Sequence, residues 1–131
     1  MKAFFLVLPK LLLTFILFLA TAGADSTANG YFEITGLVIE ETMTPAGHNL
    51  YESFNTRWKT LEGMEYTITI KERADSFRGS IYEIMVDEET VMAGRLNPRL
   101  DFIDELAAEA VKKCSLHILQ RVFVAEELEF Y

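Results

Sequence analysis

Residues 64–72 alternate almost strictly between apolar and polar side chains. Tyr66, Ile68 and Ile70 point one way, while Glu65, Thr67, Thr69 and Lys71 point the other. Successive side chains of a strand lie on opposite faces, so this segment predicts a strand with one face on a core and one in water. Two shorter runs follow. Ser80–Val86 presents Tyr82, Ile84 and Val86 on one face, and residues 90–96 come after the acidic turn Asp87-Glu88-Glu89. Residues 73–79 form a polar loop holding one large apolar side chain, Phe77. The three runs make an antiparallel meander with one face to be covered.

The cover comes from two helices. Thr44-Pro45 supplies a capping hydroxyl and then a proline where a helix needs no amide hydrogen. Leu50, Tyr51, Phe54, Trp58 and Leu61 recur three and four residues apart, which predicts a helix ending at Glu62-Gly63. Asn97-Pro98 repeats the cap-then-proline pattern. Leu100, Ile103, Leu106, Ala107, Ala110, Val111, Cys114 and Ile118 then mark the stripe of a second helix ending near Arg121. Asp101, Asp104 and Glu105 crowd its start and Lys112, Lys113 and Arg121 its end, complementing the helix dipole. Residues 122–131 read as a loosely held acidic tail. Residues 31–42 are rich in strand formers, with Leu37 and Ile39 alternating against Val38 and Glu40 around Gly36. The order strand, helix, three strands, helix predicts an α+β domain: two layers, an antiparallel sheet of three to four strands, and two helices packed on one face.

Residues 1–24 differ in kind. Their only charges are Lys2 and Lys10, the run 11–20 is almost wholly apolar, and Ala22-Gly23-Ala24 closes it. This is the pattern of a cleavable secretory signal peptide. The run is shorter than the roughly 20 apolar residues that span a bilayer. The mature chain is therefore expected to begin at Asp25, with residues 25–35 a flexible lead-in and no membrane insertion. Cleavage removes two lysines, leaving 12 − 2 = 10 basic against 20 acidic residues, a net charge of −10. Phosphate backbones and anionic bilayers repel such a chain, so nucleic acid is not an expected partner. Cys114 is the sole cysteine, so no internal disulfide can form, and none follows the signal to carry a lipid. A free periplasmic protein is expected.

Catalytic chemistry finds little to work with. A serine or cysteine nucleophile needs a base within reach, and the chain has only His48 and His117. Cys114 and His117 lie three apart on a helix, but a closed zinc site needs four ligands and no second pair is evident. The acidic pairs Glu40-Glu41 and Asp87-Glu88-Glu89 read as solvated turns rather than acid–base dyads. No catalytic residue, metal or cofactor is expected. The unusual side chains concern surfaces instead. Phe77 and Arg78 either fold back onto the sheet edge or stand out as an anchor, since aromatic and arginine side chains dominate interface energetics. Trp58 and Phe123 divide likewise between packing and partner contact.

Gly36-Leu37, the string Gly47-His48-Asn49-Leu50-Tyr51 with Phe54 and Trp58, and the strand ending Glu72-Arg73 resemble the CsgE family of curli production assembly/transport components. Arg78-Gly79-Ser80 and the segment from Leu96 to Asp101-Phe102 continue the likeness, so a CsgE-like domain is expected over residues 36–121. Tryptophans that the family places around the 77–81 loop are missing, and the acidic tail departs from its pattern. The resemblance implies a periplasmic accessory factor for secretion of curli, a functional amyloid. Such a factor escorts unfolded curlin subunits to the outer-membrane CsgG channel and caps its entrance as a nonameric ring. A generic periplasmic holdase and a small secreted enzyme are the rival readings.

Overall fold

The computed structural model describes residues 35–130. They form six elements: β1 (Gly36–Glu41), α1 (Pro45–Arg57), β2 (Tyr66–Ala74), β3 (Ser80–Val86), β4 (Glu89–Arg95) and α2 (Leu100–Glu129). The signal-peptide reading and most of the expected lead-in lie outside the described residues.

The alternation in β2 does what the sequence asks of it. Tyr66, Ile68 and Ile70 are buried, and they meet Tyr82, Ile84 and Val86 of β3 and Met92 of β4. Leu50 and Phe54 of α1 close over this face together with Ile103, Leu106, Ala107, Ala110, Cys114 and Ile118 of α2. Both helices therefore cover one side of an open four-stranded sheet in the order β1-β2-β3-β4. The α+β, two-layer arrangement stands. The sheet, however, is mixed: β3 and β4 pair antiparallel as expected, while β1 runs parallel to β2 with Gly36 opposite Tyr66. Helix α1 carries the chain back along the sheet between β1 and β2, and such a crossover returns the next strand in the same direction.

Three helix boundaries differ from the sequence expectation, and β2 runs two residues further, through Arg73 and Ala74 of the expected loop. Helix α1 stops at Arg57 rather than at Glu62-Gly63. Trp58 turns extended at ψ 130°, with its amide still donating to the Phe54 carbonyl at 2.8 Å. Its indole stacks on Phe54, centroids 5.4 Å apart, and meets the Tyr66 ring edge-on at 5.6 Å. The Tyr66 hydroxyl accepts from Trp58 Nε1 at 3.1 Å and from the Leu61 amide at 3.2 Å. Leu61 thus reaches the core from a loop, not from a helical stripe.

Helix α2 continues past Arg121 to Glu129, so residues 122–129 are helical rather than a loose tail. After Pro98 the chain has no glycine or proline to stop it, and Leu, Ala, Glu and Gln are good helix formers. The expected dipole complementarity is lost with the longer helix. No basic residue lies in its last turn, where Glu126, Glu127 and Glu129 crowd the negative end. At the other end Arg99, not Asn97, is the cap, and Leu100 is exposed rather than part of the buried stripe. Asn97 acts one step earlier, its Oδ1 accepting the Arg99 amide at 3.0 Å.

The β3–β4 connection turns on Asp87 and Glu88, with φ 46° and 72°. Two consecutive positive values are what a two-residue hairpin turn needs to match the strand twist. Asp87 also ties elements together, accepting the Thr67 amide at 2.8 Å and Arg121 of α2 at 2.6 Å.

Candidate interaction surface

Continuing the β2 alternation by one step puts Glu72 on the core side, where it is 4% exposed. Its Oε2 accepts the backbone amides of Met43 and Thr44 at 2.9 and 3.0 Å, and its Oε1 accepts the Thr44 hydroxyl at 2.6 Å. Thr44 in turn caps α1 by accepting the Gly47 amide at 3.2 Å. One carboxylate thereby fixes where α1 begins relative to β2. Burial pushes the Glu72 pKa up. The hydrogen bonds from Thr44, Met43 and Ser80 outweigh that, and the net shift is downward. Gly47 packs directly on this carboxylate: a Cβ at position 47 would overlap the Glu72 oxygen.

This anchor shapes one end of the domain. Met43, Pro45, Ala46, Ala74, Leu96 and Pro98 surround a largely apolar hollow of about 600 Å³. The β2–β3 loop stands beside it. Arg78 and Gly79 adopt φ 68° and 119°, and the Asp75 amide donates to the Gly79 carbonyl at 3.1 Å. Arg95 holds the Asp75 carboxylate at 2.6 Å. The loop so built does not fold back on the sheet edge. Phe77 is 82% exposed, and Arg78 beside it is exposed as well. Met43, at 62%, adds a second large apolar side chain at this end.

The four candidate residues are not brought to one place. Trp58 sits against Tyr66, where β2 begins, and Phe77 lies beyond Ala74, where it ends. Nine residues of strand separate the two sites by about 25–30 Å. Trp58 is half-buried in the Phe54–Trp58–Tyr66 cluster. Phe123 is 63% exposed on α2, past the last buried residue of that helix, Ile118. Only Phe77 and Arg78 form a continuous patch.

Cys114 and His117 do not converge. Cys114 is fully buried and burial pushes its thiol pKa up to about 12, whereas His117 Nε2 lies 3.0 Å from Glu89 Oε2. That His117–Glu89 approach satisfies distance but not hydrogen-bond geometry. Among the described residues no group of three His, Cys, Asp or Glu could hold a metal ion. His48 instead packs its Nδ1 against Glu40 at 2.7 Å, and the hydrogen bond to Glu40 raises its pKa. Among the described residues no helix is long and apolar enough to cross a membrane.

A family model described as the curli assembly protein CsgE matches residues 34–128, which take in every strand and all but the last residue of α2. The curli production assembly/transport component CsgE of Salmonella typhi is 32% identical over 68 residues. That stretch covers 50% of this chain and 49% of the relative, so the chain spans about half the length of the curated relative it matches. Gly47 and Glu72, 25 positions apart in the sequence, are in contact at the anchor. Segments that carry the likeness in sequence are thus held together in the fold, and with the family model matched across the whole domain, the chain belongs to the CsgE family.

Proposed function

We propose that this chain is an accessory factor for curli secretion that works in the periplasm, bringing unfolded curlin subunits to a CsgG-like outer-membrane channel and covering its entrance as a closed ring. The match of the CsgE family model over residues 34–128 carries the reading. Three features support it. The first 24 residues have the form of an export signal, the acidic balance disfavours nucleic acid, and one end of the domain offers an aromatic–arginine patch beside an apolar hollow. The family is named for assembly and transport, not for a reaction.

The mechanism needs no nucleotide. A disordered subunit confined between the channel mouth and a cap loses conformational freedom, and passage through the pore restores part of it. A ring repeats one heterologous contact, so each subunit needs two different patches, one fitting the other. The Phe77–Arg78 loop is one of them: burying a phenylalanine contributes about 1.5–3 kcal/mol, and arginine forks onto a carboxylate. Glu52 and Glu62 are exposed carboxylates suited to receive it.

The test uses the purified mature chain and detergent-solubilised channel. Co-migration in size exclusion with a defined stoichiometry is the expected result. Two species that elute separately at every concentration overturn the capping reading.

A further inference from the structure

The outer side of α2 carries a pattern separate from the Phe77–Arg78 loop. Lys112, Leu116, Leu119, Phe123, Glu126 and Phe130 follow one another in alternate steps of four and three residues. That mean spacing of 3.5 is the spacing of a coiled-coil seam, here about two and a half heptads long and with charged residues at positions 112 and 126. At 100° per residue, Leu116 and Phe123 sit roughly 140–160° around the helix from the buried Ile118. The structure agrees with this placement. Leu116 is 50% exposed, Phe123 63% and Phe130 90%, Leu119 at the rim of the stripe is half-buried, and Lys112, Lys113, Glu126 and Glu127 are all exposed.

The charges identify the occupant. The seam is basic at one end, apolar in the middle and acidic at the other. Two copies laid antiparallel about a dyad between Leu119 and Gln120 bring Leu116 opposite Phe123, Lys112 opposite Glu127 and Lys113 opposite Glu126. A parallel arrangement would set like against like. A patch that complements itself under a two-fold rotation fits a second copy of the same chain. The helix end gives an independent reason: Glu126, Glu127 and Glu129 oppose the macrodipole with no basic residue in the last turn, and the lysines of a second copy would neutralise them. Lys113 already holds Glu109 at 3.0 Å along its own helix, so it would be shared between two acceptors, while Lys112 is the freer donor.

We propose that the outer face of α2 is a self-complementary contact that joins two copies of this chain through antiparallel helices. It is isologous, and so differs in kind from the head-to-tail contact of the ring.

The experiment is a charge exchange on the full mature chain, read by native mass spectrometry and by sedimentation velocity over a concentration series. Variant one carries Lys112→Glu and Lys113→Glu; variant two carries Glu126→Lys and Glu127→Lys. The wild type should show a concentration-dependent dimer. Each variant alone places like charges opposite each other at both ends and should associate about tenfold more weakly or worse. Mixed together, the two variants regain every opposite-charge pair and should form one-to-one heterodimers. Failure of the wild type to dimerise, variants that associate like the wild type, or a mixture without one-to-one preference each overturn the proposal. So does a variant that unfolds in circular dichroism, because the contact requires these side chains to be dispensable to the monomer. A ring contact elsewhere gives no such preference in the mixture, which separates the two kinds of assembly.

Discussion

Glu72→Ala is expected to destabilise the domain by about 2–3 kcal/mol, because it removes the one buried carboxylate that three part-buried donors share. The amides of Met43 and Thr44 and the Thr44 hydroxyl all point at this carboxylate. Removing it also frees the residue that caps α1. Gly47→Ala should be costly by another route, since its Cβ would overlap the carboxylate and the site is walled by Thr42 as well. The two effects share one contact and so should not add. In a double-mutant cycle, Gly47→Ala should cost markedly less in the Glu72→Ala background than in the wild type. The pH dependence has a fixed sign. The folded pKa of Glu72 lies below its ordinary value of 4.5, so its contribution is complete above that pH and is lost as pH falls through the folded value. Urea unfolding of all four proteins at pH 7, and of wild type and Glu72→Ala down to pH 3, measures both claims. Additive losses, or a wild-type advantage undiminished in acid, would contradict this account of the anchor.

Phe77→Ala with Arg78→Glu is expected to leave the monomer folded and to abolish assembly or channel binding. Neither side chain lies on a core stripe, and Phe77 is 82% exposed, so its loss forfeits almost no burial within the monomer. At an interface the same side chain would be an anchor, and reversing Arg78 adds a repulsion to the lost contact. Melting temperature, light scattering and channel pull-down together decide the matter. An unchanged pull-down and an unchanged mass would remove the loop from the interface. A collapse in melting temperature would mean that Phe77 packs within its own subunit.

The parts of this fold written in local periodicity were legible. The two-residue alternation of β2, the three-and-four spacing of Leu50, Phe54, Ile103 and Ile118, and the Thr44-Pro45 cap all read correctly. What failed depended on features that hydrophobic periodicity does not record. Nothing in residues 36–41 states that β1 pairs with β2 in parallel, because a crossover and a hairpin put the same side chains on the same faces. Trp58 and Leu61 keep helical spacing, yet the hydroxyl of Tyr66, eight and five residues further on, accepts from both and holds the connection out of the helix. The apolar stripe of α2 ends at Ile118 and so points to a helix end near Arg121, although no residue beyond it breaks a helix. Glu72 was legible in principle. Strict alternation from Tyr66 puts it inward, and a buried carboxylate beside a threonine cap is a signal that charge alone disguises. For the surface, the sequence singled out Phe77, Arg78, Trp58 and Phe123 by residue type but had no means of separating exposed from packed aromatics. That division rests on loop geometry at Arg78 and Gly79 and on how far α2 outruns the sheet.

The central claim is that this chain serves curli secretion, and export itself tests it. In cells that make the channel and a curlin subunit but lack their own CsgE component, extracellular amyloid is measured with this chain supplied in the periplasm. The account predicts that amyloid is restored by the wild type and not by the Phe77→Ala, Arg78→Glu variant at equal protein level. Wild-type protein that accumulates in the periplasm while amyloid stays at the level of the deficient cells would contradict it.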